Sequence, residues 1–331
     1  MSFFCSFGIS FAVAGLLLPL IWRLRNHLPL AIPNERSLHT MPIPSVAALA
    51  LWAGFTVGSI FLIYFQPLMI GTRLAVIGGG AFVLTIVSFV DDCIDLSAMH
   101  RLLAQTVVAG LLALSWVAQS DNQSADLFIV LVSIFLIIWM TNLFNFMDGS
   151  DGLAVTMAII GFSALAGAAF MAGFAWWQLP ALIVAATLPL WFINFPPAKM
   201  FLGDVGAAPL GFLAIGFGGL GVVERGWSAA FVLLVFLPFI LDATITLIRR
   251  LLHREKVWEA HKTHYYQKLV QLGAGHRGTL LVYGVSMIGC SMSAVFLVRY
   301  ETALWVVLGG WTIIHLGFFA AIDYHCKKFE T

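Results

Sequence analysis

The run LFIVLVSIFLIIWMTNLFNFMDGSDG, from Leu127 to Gly152, decides the fold. Its first twenty residues carry no charge, and Ser133, Thr141, Asn142 and Asn145 are their only hydroxyl or amide side chains. A bilayer crossing needs about 20 predominantly apolar residues, so the run spans a membrane and breaks where the glycines and aspartates begin. Ten further runs fit the same template, near 3–22, 45–65, 72–90, 102–119, 153–173, 179–195, 206–223, 228–248, 279–298 and 303–322. Open strand edges cannot face lipid, so these segments are read as helices. The expectation is an all-α, polytopic integral membrane protein with about 11 transmembrane helices. Only 10% of the 331 residues are charged and 61% are hydrophobic, against about 25% charged in soluble domains. That excludes a water-soluble globule and a disordered chain.

The lysines and arginines orient the bundle. With eleven crossings, one set of loops holds Arg23, Arg25, Arg36, Arg101, Lys199, Arg249, Arg250, Arg254, Lys256, Lys262, Lys268, Arg277, Lys327 and Lys328, and the other only Arg73, Arg225 and Arg299. Positive charge marks the cytoplasmic side, which predicts a periplasmic N-terminus and a cytoplasmic C-terminus. The first segment lacks a basic leader and a small-residue cleavage site and reads as a retained helix. A net charge of +1 gives no reason to expect nucleic acid. Cys5, Cys93, Cys290 and Cys326 show no paired spacing and read as packing residues. No inverted repeat is evident, and the chain reads as one domain, 1–331, with loops 23–44, 91–101, 146–152, 195–205 and 249–278 gathered on one face.

Those loops hold polar residues that the apolar pattern does not explain. Asp91, Asp92 and Asp95 end the third span; Asn142, Asn145, Asp148 and Asp151 close the fifth; Asp204 stands in Phe201-Leu-Gly-Asp-Val-Gly after the seventh. Each has a plain alternative: a solvated helix end, an asparagine pair bonding neighbouring helices, a glycine turn. However, carboxylates oppose the dipole at a helix C-terminus, and three in five residues require a compensating cation. Taken together, carboxylates and an amide carbonyl are hard oxygen ligands suited to Mg²⁺, with Mn²⁺ as the alternative. The chain has no His-Glu-x-x-His pattern, phosphate loop or nucleophile elbow, which weakens protease, ATPase and lipase readings.

The last long loop supplies the opposite charge, from His253 through His261, Lys262, His264 and Lys268 to His276 and Arg277. It reads either as an amphipathic interfacial helix or as a diphosphate cradle, His261 and His264 lying i, i+3 on one helical face. Arg36 in the first loop is a second polar contributor. Asp242, two turns before Arg249, reads as a structural ion pair or hydrogen bond, with a substrate role as the alternative.

Asp91-Asp92, Asn142-x-x-Asn145-x-x-Asp148-Gly-x-Asp151-Gly, Phe201-Leu-Gly-Asp204-Val-Gly and the His-rich loop resemble the polyprenyl-phosphate N-acetylhexosamine-1-phosphate transferases over nearly the whole chain. The resemblance implies Mg²⁺ ligands at Asn145 and Asp204, and catalytic residues at Asp91, Asp92 and Asp204. Substrate contacts fall on Asn142, Asp148, Asp151, His261, His264, Arg277 and Arg36. It also implies undecaprenyl phosphate as acceptor, a UDP-N-acetylhexosamine as donor, a homodimer, and a bacterial inner-membrane enzyme working at the cytoplasmic face. Two departures, Asp95 in place of a lysine and His-Lys-Thr-His in place of adjacent histidines, argue against a muramoyl-pentapeptide substrate. The stretch from Trp258 to Tyr266 looks like the branch that starts lipopolysaccharide O-antigen chains.

The reaction expected is attack by the lipid phosphate on the β-phosphorus of the UDP-sugar, with UMP leaving. A phosphate monoester has a second pKa of about 6, so Asp91 or Asp92 either removes the residual proton or orients the lipid phosphate. Alternatives are a nucleotide-sugar or lipid transporter, a lipid-binding scaffold, and a peptidoglycan or teichoic-acid transferase.

Overall fold

The computed structural model describes residues 1–31, 33, 38, 42–66, 70–94, 96–118, 127–256 and 261–330. Arg36, Asp95 and Trp258 lie outside the described residues. The helices are α1 (Ser2–Arg23), α2 (Ala48–Phe65), α3 (Thr72–Ile94), α4 (Ala98–Val117), α5 (Leu127–Phe146), α6 (Leu153–Met171), α7 (Gln178–Asn194), α8 (Asp204–Val223), α9 (Ala229–Val235), α10 (Leu237–Leu252), α11 (Tyr265–Leu269), α12 (Gly275–Phe296) and α13 (Glu301–Glu330). Among the described residues ten helical spans are long and apolar enough to cross a membrane, α11 and α12 forming one of them through the wide turn Val270–Ala274. The all-α, multi-pass expectation holds.

The expected span 228–248 is not one straight helix. It is α9 and α10, bent by 80°. Pro238 stands in the first turn of α10, where its missing N–H costs nothing. Inside a continuous helix it would remove a hydrogen bond and clash with the preceding turn. Counting the bent pair as one span brings the total to eleven.

The core is built around α8, which is buried along most of its length and packs against α3, α5, α6 and α9. A helix apolar on every side belongs inside a bundle. Lipid tails are as apolar as leucine, so close packing rather than exclusion from water holds such helices together, and small residues permit it. A Cβ at Gly211 would run into the Met140 carbonyl of α5, so glycine there sets how closely α5 and α8 approach.

Outside the spans, Leu30–Ala31 (β1) pairs antiparallel with Ile43–Pro44 (β2). The Phe201 N–H donates to the Pro44 carbonyl at 2.8 Å and the Ala47 N–H to the Phe201 carbonyl at 3.3 Å. The first long loop is thereby tied to the segment that delivers Asp204. Gly203 makes that delivery possible: its φ is +73° and a Cβ would strike the Ser45 carbonyl. At the chain end, α13 runs eight residues past the expected 322, because Asp323 accepts from Lys268 at 2.8 Å and from Arg249 at 2.5 Å.

Candidate active site

Asp91 lies at the end of α3 and is 8% exposed. One of its carboxylate oxygens accepts from the Leu96 N–H at 2.8 Å, the other from Arg101 Nη1 at 2.8 Å. Arg101 comes from the first turn of α4 and also stands 3.6 Å from Asp204. The cation that the acidic helix end requires is thus supplied in part by the protein. Sequence reasoning counted Arg101 for topology alone. The short link between α3 and α4 was the available signal, since it folds position 101 back on position 91.

Asp92 differs from its neighbour. Its Oδ2 is buried without a hydrogen-bond partner among the described residues. Asp204 opens α8, where a carboxylate is favoured by the helix dipole, and the Asn145 side chain is within hydrogen-bonding reach of it. Asp148, in the turn after α5, meets the Gly203 backbone N–H. Its carboxyl is pushed well above the usual carboxylate range, chiefly by burial and then by the charge on Asp204.

Among the described residues no three acidic, histidine or cysteine side chains form a ready-made metal shell. The donor set nevertheless fits Mg²⁺. That ion keeps several waters and is commonly held by one or two carboxylates plus substrate phosphates rather than by an all-protein cage. An orphaned Asp92 oxygen beside the Asp204–Asn145 pair is such a donor set.

The two asparagines have separate partners. Asn142 exchanges amide hydrogen bonds with Gln105 of α4, at 2.6 and 3.3 Å, and donates to the Ile138 carbonyl at 2.8 Å. Its side chain is occupied in joining α4 to α5. Asn145 alone turns toward Asp204.

Asp151, His276 and Arg277 close the floor of the site. Asp151 accepts from the Ala198 N–H at 2.9 Å, and His276 Nδ1 lies 3.0 Å from Ser150 Oγ. Arg277 donates to the Pro196 carbonyl at 3.0 Å, and Asn194 accepts from the Gly152 N–H at 2.9 Å. Three loops far apart in sequence form one hydrogen-bonded layer.

His261 and His264 are brought together by stacking, their rings 4.8 Å apart, and not by a helix: the segment 261–264 is non-helical and α11 starts at Tyr265. The reason is the cap at His264, whose backbone is extended (ψ 150°) and whose N–H donates to Gln267 at 3.2 Å. His264 is buried and its Nδ1 lies 3.2 Å from Asp242. His261 sits beside Thr263, Nδ1 to Oγ1 at 2.9 Å. Burial, then the neighbouring His264 and Arg250, hold the His261 pKa down to about 4. At neutral pH it offers a hydrogen bond and no charge.

An apolar groove of about 1680 Å³ runs along α4, α5, α8, α9 and α10. Trp139, Met140, Ile215, Leu233, Ile240 and Leu251 line it. None of the acidic residues above does. The bend between α9 and α10 gives the groove one of its walls.

Known proteins are similar to this chain in sequence. The family described as "Glycosyl transferase family 4" matches residues 74–221. A "Probable undecaprenyl-phosphate N-acetylglucosaminyl 1-phosphate transferase" of Bacillus subtilis is 29% identical over 293 residues, covering 83% of this chain and 78% of that protein. A "Decaprenyl-phosphate N-acetylglucosaminephosphotransferase" of Mycobacterium tuberculosis is 29% identical over 338 residues, covering 86% and 82%. A "Phospho-N-acetylmuramoyl-pentapeptide-transferase" of Lactobacillus gasseri matches less of the chain, 27% identical over 56% of it and 63% of that protein. The bundle is that of a multi-pass membrane protein. In sequence the chain is similar to the polyprenyl-phosphate N-acetylhexosamine-1-phosphate transferases.

Proposed function

We propose that the protein transfers N-acetylglucosamine-1-phosphate from UDP-N-acetylglucosamine to undecaprenyl phosphate, releasing UMP, at the cytoplasmic face of a bacterial inner membrane. The relatives' names favour the N-acetylglucosamine donor and a polyprenyl phosphate acceptor. The likeness of 258–266 to the O-antigen branch favours a surface polysaccharide as the destination. The observation that carries the reading is the unpaired Asp92 oxygen beside the Asp204–Asn145 pair.

The chemistry asks mainly for positioning and charge compensation. Two anionic substrates must approach, so a divalent cation held by Asp92, Asp204 and Asn145 would offset their repulsion and polarise the phosphoryl oxygens. Arg101 adds a fixed positive charge on the Asp91 side. Because Arg101 and the Leu96 N–H occupy Asp91, Asp92 is the carboxylate with an oxygen to spare. Its role is to receive the remaining proton of the lipid phosphate or to orient that group. Asp148 and the neutral His261 face the donor as hydrogen-bonding groups. The groove takes the polyprenyl chain, which leaves its phosphate at the polar layer.

The test is UMP release from a panel of UDP-N-acetylhexosamines with undecaprenyl phosphate and Mg²⁺, comparing wild type with Asp204→Asn. Release from UDP-N-acetylglucosamine that the variant loses while still folded is the expected result. A variant as active as wild type would overturn the assignment of Asp204, and no release from any donor would overturn the reaction.

A further inference from the structure

Asp242 lies on α10, fully buried, and belongs to none of the groups above. It gathers five donors from three parts of the chain. Oδ1 takes the Tyr265 N–H at 2.9 Å, His264 Nδ1 at 3.2 Å and Thr246 Oγ1 at 3.3 Å. Oδ2 takes the Tyr266 N–H at 2.9 Å and the Tyr283 hydroxyl at 2.5 Å. The ion pair to Arg249 that the spacing suggested does not form; Arg249 goes to Asp323 and the Tyr265 hydroxyl.

Burying a carboxylate inside a bundle is costly unless its lone pairs are satisfied. A leucine would fill the same space without that cost. What the carboxylate provides is direction: it fixes two backbone N–H groups at the start of α11, one imidazole nitrogen and one hydroxyl from α12.

Two lines of contact lead from there into the site. His264, held by Asp242, stacks on His261. Tyr266, held through its N–H, donates its hydroxyl to the Phe146 carbonyl at 3.0 Å. Phe146 follows Asn145 directly, and the same hydroxyl lies so close to Gly149 that a Cβ there would collide with it. The opposite face of α10, with Ile240, Thr244, Leu247 and Leu251, lines the apolar groove.

We propose that Asp242 is a positioning residue for the nucleotide-sugar half of the reaction. It sets the His261–Tyr266 segment against the Asn145–Gly149 turn and leaves the lipid half untouched. The proposal rests on the transferase reading above.

The experiment uses the full chain in detergent or nanodiscs, with Asp242→Asn and Tyr283→Phe. Steady-state kinetics are run with UDP-N-acetylglucosamine, undecaprenyl phosphate and Mg²⁺, and amide hydrogen exchange is followed without substrate. Asp242→Asn should raise KM for the UDP-sugar about 10-fold or more, the scale of one badly matched buried hydrogen bond. KM for undecaprenyl phosphate should stay within about 2-fold of wild type. The Tyr265 and Tyr266 amides should exchange faster while those of α6 and α8 keep their protection. Tyr283→Phe, which keeps both backbone bonds, should shift the donor KM in the same direction and by less. An equal rise in both KM values with exchange loosened throughout would make Asp242 merely structural and overturn the proposal. Faster exchange at Tyr265 and Tyr266 with an unchanged donor KM would overturn it too. A wild type that transfers nothing would instead remove the transferase reading, and the donor assignment with it.

Discussion

Asp91 and Asp92 are adjacent, yet their carboxylates are in opposite situations: Asp91 has both oxygens engaged, whereas Asp92 keeps a buried oxygen without a partner among the described residues. An unsatisfied buried polar atom costs about 1–3 kcal/mol. Asp92→Asn should therefore leave thermal stability unchanged or higher while lowering UMP release by about 100-fold or more, the scale on which a residue positioned for proton transfer contributes. Asp91→Asn should do the reverse in part, lowering the melting temperature because Arg101 is left facing Asp204 alone. Detergent unfolding curves beside transfer rates separate the two, and equal behaviour of both variants would contradict the division of roles. His261 gives a second prediction at this scale. Its pKa is about 4 in the fold against an ordinary 6.5, so between those values the unfolded chain binds more protons. The stability this contributes is present above pH 6.5 and is lost as pH falls toward 4. His261→Gln should flatten that slope in pH-dependent unfolding. Sequence could place all these residues at one face, but not their partners. Asn142 and Asn145 stand about 60° apart on a helix, enough to send one to Gln105 and the other to Asp204, and no pattern in the string says which.

Among the elements, the long apolar helices were legible because a bilayer imposes one length and one composition. The breaks were not. The α9–α10 bend follows from Pro238, but Pro189 and Pro209 lie inside α7 and α8 without ending them. Packing decides which proline breaks a helix. The polar end of α13 was missed for a related reason: Asp323 is a lone carboxylate until the fold sets Arg249, Lys268 and the Tyr265 hydroxyl around it. Hydrogen bonds to charged groups contribute about 1.5–3 kcal/mol each in favourable settings, and these are partly exposed, which discounts them. Asp323→Ala should therefore lower stability by about 1–2 kcal/mol in total and speed amide exchange across α11. Unaltered exchange there would mean that α13 does not brace the loop.

For the whole molecule, the proposed reaction must bring together a water-soluble donor and an acceptor that stays in lipid. The polar layer gathers Asp91, Asp92 and Arg101 with 145–152, 194–204 and 261–277 at one end of the bundle, while the groove runs along α4, α5, α8, α9 and α10. α10 serves both, lining the groove on one side and anchoring the His loop through Asp242 on the other. If the groove holds the polyprenyl chain, filling it should harm only acceptors long enough to need it. Leu233→Trp adds bulk to a half-buried groove position at a distance from the acidic residues. Overpacking of this kind costs about 1–3 kcal/mol, borne here by the bound chain. KM for undecaprenyl phosphate should rise by about 10-fold or more, while a two- or three-isoprene phosphate should be used as well as by wild type. The donor KM should not move, because the proposed donor site is the polar layer and not the groove. Loss of both acceptors in equal measure would show that the substitution disturbs the bundle, and an unaffected long acceptor would place the chain elsewhere on the lipid-facing surface.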